Sequence, residues 1–79
     1  MKKDLTQLEQ GQKGKIVELI GGRGFLAKLD ALGIREGIEI IKLSTISKKG
    51  PVIVQVGNTQ VALGYGMAKR IIVEVVHSL

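Results

Sequence analysis

The chain has 79 residues, a formal net charge of +5 from 12 Lys+Arg against 7 Asp+Glu, 44% hydrophobic residues and no cysteine. That length supports one small domain over residues 1–79, held by apolar packing alone, with no disulfide, thiolate metal site or cysteine nucleophile. After Met1-Lys2-Lys3 comes Asp4 rather than an apolar signal-peptide run, and no stretch nears the ~20 apolar residues needed to span a bilayer, so a cytosolic location is expected without membrane insertion.

Beyond the turn signal at Gly11, "KGKIVELI" (Lys13 to Ile20) has the β-branched content of a first strand. "GGRG" breaks it. "GFLAKLDALG" then carries helical spacing, with Phe25, Leu29 and Leu32 on one face and Leu26 beside them. Gly33 sits where a helix C-terminus takes a left-handed residue. The Schellman geometry that follows would bond the Ile34 N–H to the Leu29 carbonyl and bring those two side chains together. Gly37 supplies a tight turn into "IEIIKL", the second strand.

Gly50-Pro51 closes the turn "SKKGP", because proline can open a strand although it cannot donate to a ladder. In the third strand, "VIVQV", Val52, Val54 and Val56 share a face. Gly57-Asn58 is a two-residue hairpin signal, and the register it sets pairs Val56 with Thr59, Val54 with Val61 and Val52 with Leu63. "QVALG" is then the fourth strand, "YGMAKR" a loop or single helical turn, and "IIVEVV" the fifth strand with Ile71, Val73 and Val75 on one face. The expected fold is mainly β: a small barrel of about five strands, closed so that no edge is exposed, with a helix inserted between strands one and two.

Chemistry is thinly signalled. Gly22-x-Gly24-x-x-Ala27 matches a dinucleotide fingerprint, but that fold needs a parallel strand after the helix and an acid about 20 residues on, and neither is in place. Glu74 and His77 have an odd spacing, which on a strand sends them to opposite faces, so no metal pair forms. The hydroxyls Thr6, Ser44, Thr45, Ser47, Thr59 and Ser78 have no adjacent base beyond the terminal His77, and the carboxylates are scattered, so no enzyme is expected. The charge excess is greatest in residues 41–60, where Lys42, Lys48 and Lys49 stand without an acid. With Lys69-Arg70 these could meet phosphates, making a nucleic-acid-binding barrel the alternative reading. Only Phe25 and Tyr65 are available as stacking platforms, and Phe25 reads as core.

Taken together, "LTQLEQGQKGKIVEL", "LAKLDALGIREGIEI", "GPVIVQVGNTQVALG" and "MAKRIIVE" resemble the FeoA family of ferrous iron transport proteins, in order and spacing, from about Leu5 to Glu74. The match rests on Leu29, Leu32, Gly33, Ile34 and Gly37, on Gly50 and Pro51, and on Val61-Ala62-Leu63. Lys28 and Gly64 depart from a family pattern that often has arginine and another basic residue there. The resemblance implies an SH3-like barrel with an inserted helix. It also implies a cytosolic accessory protein of the membrane ferrous-iron transporter FeoB, which has a cytosolic GTP-binding domain. No cofactor and no strong iron site are expected. Docking on the transporter is expected through Leu26 on the helix and Tyr65, Met67 and Lys69 on the late loop, since an apolar patch rimmed by charge suits a partner. Self-association stays open.

Overall fold

Strands Lys2–Asp4 (β1), Lys13–Leu19 (β2), Glu39–Thr45 (β3), Val52–Val56 (β4), Thr59–Leu63 (β5) and Ile71–Val75 (β6) form one antiparallel sheet, ordered β1-β6-β2-β3-β4-β5. Helix α1 is Arg23–Ala31, α2 is the single turn Tyr65–Ala68, and Leu5–Gln7 makes a 3-10 turn. The structure is a computed structural model and describes residues 1–45 and 47–77.

Alternation along the strands sets the core. Val52, Val54 and Val56 of β4 and Ile71, Val73 and Val75 of β6 are buried on their inner faces, with Ile16 and Ile40 beside them. The hairpin register is the expected one, with Val56 opposite Thr59, Val54 opposite Val61 and Val52 opposite Leu63. Gly57 has φ +59 while Asn58 is not left-handed, the sign pattern of a type II′ turn.

The mainly β fold with one inserted helix is the expected one, and two of its details differ. The strands number six, because Lys2–Asp4 pairs with β6 (Lys2 opposite Glu74, Asp4 opposite Ile72), so the helix follows the second strand rather than the first. Closure is also incomplete in hydrogen bonding: among the described residues β1 and β5 do not pair, and each is an edge. Register shifts between Ile16 and Glu18 in β2 and between Lys42 and Ser44 in β3 are the irregularities that bend such a sheet. Under its near end sits the 3-10 turn. The Asp4 side chain caps it by accepting from the Thr6 N–H at 2.8 Å, and its Leu5 is fully buried.

Candidate docking surface

Helix α1 has nine residues and no side-chain cap at Gly22, too short to persist alone, so it forms by docking. Leu29 points inward and is fully buried, with Phe25 and Leu32 half-buried against the same core. Its end follows the Schellman pattern: Gly33 has φ +82, the Ile34 N–H donates to the Leu29 carbonyl at 2.9 Å and the Gly33 N–H to the Asp30 carbonyl at 2.9 Å. The chain turns again at Gly37 (φ +93), whose N–H donates to the Ile16 carbonyl at 2.7 Å.

This double turn lays residues 34–36 beside α1 and leaves a groove of about 600 Å³. Leu19 and Ile34 line it together with Leu26 and Ala27 of the helix, and Asp30, Arg35 and Glu36 supply its charge. The Arg35 Nε donates to the Asp30 carboxylate at 2.6 Å, an exposed pair that orients the rim and adds little stability. Leu26 is 38% exposed, one of only three large apolar side chains that are exposed among the described residues.

Of the four residues singled out for partner contact, only Leu26 lines this groove. Tyr65, Met67 and Lys69 sit at α2, which Ala68 anchors in the core. Tyr65 is half-buried with the Lys69 ammonium 5.7 Å from its ring centroid, while Met67 packs on the core and keeps only part of its surface for a partner. That Leu19, Arg35 and Glu36 line the groove was not legible from pattern, whereas Ile34 was already placed against Leu29 by the helix-ending geometry.

The basic loop does not assemble. Lys42 is an inward residue of β3, 6% exposed, and its Nζ donates to the Thr6 carbonyl at 3.1 Å, so only Lys48 and Lys49 remain on the exposed turn. Burial pulls the Lys42 amine below its ordinary value, and the Asp4 carboxylate partly opposes that shift. The unfolded chain therefore binds more protons than the folded one in the window just below 10.5. Stability is expected to gain an increment as pH rises through that window. Urea midpoints at neutral and alkaline pH should show this increment in the natural protein and not in Lys42→Met.

The other chemistry stays apart. The strand after α1 is β3, antiparallel to β2, which is incompatible with a dinucleotide-binding unit. Glu74 pairs with the N-terminal amine, whose hydrogen bond holds its carboxyl below the usual range, and no hydrogen bond joins it to His77 among the described residues. Within the same residues no group of three or more His, Cys, Asp or Glu side chains could hold a metal ion, and no helix is long and apolar enough to cross a membrane. Ser78 lies outside the described residues.

Comparison with known proteins agrees with this architecture. A family model for the FeoA domain matches residues 3–75. The crystal structure of an iron uptake regulatory protein, FeoA, superposes with a TM-score of 0.87 at 33% identity, over 96% of this chain and 99% of that one. The FeoA of Stenotrophomonas maltophilia, solved with zinc and described as a procaryotic SH3 domain protein, aligns at 26% identity with a TM-score of 0.72, over 91% of this chain and 89% of that one. A manganese-dependent transcriptional repressor shares the fold at 20% identity and a TM-score of 0.86; 95% of this chain matches 42% of the repressor. No curated protein matches the sequence. An antiparallel SH3-like sheet, a helix leading through two glycine turns into its third strand, and a family match from Lys3 to Val75 identify this chain as a member of the FeoA family, which carries a role in ferrous iron transport.

Proposed function

We propose that this chain is a non-enzymatic accessory protein that docks on the cytosolic side of a FeoB-type ferrous iron transporter and modulates it. The observation that supports this most is the α1 groove, where Leu26 stands exposed above Ile34 and Leu19 between the charges of Asp30, Arg35 and Glu36. An apolar anchor inside a polar rim is the form of a small protein-binding site. Family membership supports a ferrous-iron transporter as the partner, and the relative from S. maltophilia has been put forward as a ferrous iron transport activating factor. Tyr65 and Lys69 offer a second contact from α2.

The test is calorimetric titration of the transporter's purified cytosolic region. Leu26→Asp is expected to weaken binding at least ~10-fold in a variant that keeps its circular dichroism spectrum and remains folded at the temperature of the titration, because the side chain lies at the groove surface and outside the buried core. Tyr65→Ala combined with Lys69→Glu probes α2 separately. Undiminished binding by Leu26→Asp would remove the groove from the docking site. Salt-sensitive RNA binding, lost in Lys48→Glu/Lys49→Glu and without any transporter signal, would overturn the docking reading.

A further inference from the structure

The two open edges of the sheet are unlike each other. The β1 edge is three residues long and carries Lys2, Lys3 and Asp4, the short charged form that discourages pairing. The β5 edge reads Thr59-Gln60-Val61-Ala62-Leu63, with no charge and no proline, and its register against β4 runs without a bulge. Neither a charge nor a proline nor a bulge protects this edge from pairing.

Its hydrogen-bonding groups are legible from the turn. A two-residue loop at Gly57-Asn58 makes Val56 and Thr59 a hydrogen-bonded pair, and bonded pairs recur at every second position. The amides of Thr59, Val61 and Leu63 therefore face β4, and those of Gln60 and Ala62 face outward. Both residues are exposed, and neither joins a turn, cap or loop hydrogen bond among the described residues.

We propose that β5 is a pairing edge for a second copy of this chain, joined antiparallel in a register centred on Val61. That register is self-complementary: Gln60 lies opposite Ala62 of the other copy, so each pair exchanges two backbone hydrogen bonds, and Thr59 lies opposite Leu63. No cross-strand pair sets like charges together. The chain's net charge of +5 opposes self-association, but the antiparallel arrangement contains the cost. The Lys48-Lys49 turn lies at the Leu63 end, since Val52 pairs with Leu63, so the two basic turns sit at opposite ends of the paired strands. Five residues span ~17 Å, about two Debye lengths at physiological salt. An edge this short buries well under ~1,000 Å², which makes the dimer weak and concentration-dependent. None of its residues lines the α1 groove, so the inference stands independently of the transporter reading.

Sedimentation velocity from ~20 µM to ~2 mM tests it, spanning the range in which so small an interface assembles. The mass should rise toward twice the monomer. Ala62→Pro and Gln60→Pro each delete one outward N–H while sparing the β4 ladder, and a variant that keeps its circular dichroism spectrum should dimerise at least ~10-fold more weakly. Amide hydrogen exchange of the natural protein supplies a readout free of any folding defect: Gln60 and Ala62 should gain protection on concentration while Thr59 and Val61 stay unchanged. A monomer at the highest concentration, a dimer undisturbed in a folded variant, or protection gained elsewhere would each overturn the proposal. A monomeric chain whose β5 amides shift only with the transporter's cytosolic region would overturn it too and assign the edge to a foreign strand.

Discussion

Leu29→Ala is expected to lower stability by roughly 3 kcal/mol, within the range for deleting a buried leucine side chain. Leu29 is fully buried, and it is the residue through which α1 holds the sheet and meets the chain leaving the helix. Truncation leaves a cavity between helix and strands, and the short helix has no capping side chain to fall back on. For a domain of this size the loss should drop the thermal midpoint by roughly 12–24 °C. Three residues earlier on the same helix, Leu26→Ala should cost about 1 kcal/mol or less, because that side chain lies at the groove surface, 38% exposed, and leaves no enclosed cavity when truncated. Urea denaturation of the two variants side by side checks the pair. Equal losses would mean that α1 is not anchored through Leu29.

The second large effect is at a position with no side chain. Gly14 is buried in β2, and a Cβ there would stand 2.6 Å from Val73 Cγ2 and 2.7 Å from Val73 Cβ. Val73 is fully buried in β6, the neighbouring strand, and cannot swing aside. Gly14→Ala must therefore push β2 and β6 apart, at a cost of about 2 kcal/mol, toward the middle of the range for overpacked cores. At Gly24 nothing lies within 4 Å of an added Cβ and no left-handed φ is required, so Gly24→Ala should be neutral or mildly stabilising within α1. A melting-temperature comparison of the two alanine variants decides the matter. A Gly14→Ala protein as stable as the natural one would show that the two strands are loosely packed.

Local signals carried most of the fold. The Gly57-Asn58 hairpin and its register, the Gly33 helix ending and the inward faces of β4 and β6 all depend on residues within about ten positions of one another, and all were legible. The first strand was not. Lys2-Lys3-Asp4 has no apolar pattern, and it becomes a strand only because β6 offers it an edge from the far end of the chain. Lys42 shows the opposite failure. Ile40 and Lys42 are two apart on β3, so alternation already sent both inward, yet a charged residue reads as solvated until a partner such as the Thr6 carbonyl is visible. The candidate groove was half legible: helical spacing set Leu26 beside the packed face of α1, but only the folded chain shows Leu19 and Ile34 next to it.

Strand β6 sits between β1 and β2, and this bears on how the sheet is assembled. The meander β2-β3-β4-β5 joins strands that follow one another along the chain, whereas β6, the last strand among the described residues, pairs with β2 on one side and β1 on the other, both from the start of the chain. Contacts that span nearly the whole chain pay their loop-closure entropy late and slow the search. During synthesis the flank of β2 that faces β6 is expected to stay open until Ile71–Val75 has emerged. The same last strand is thus the keystone of the native sheet and the step that decides how long an unfinished edge stays exposed to aggregation.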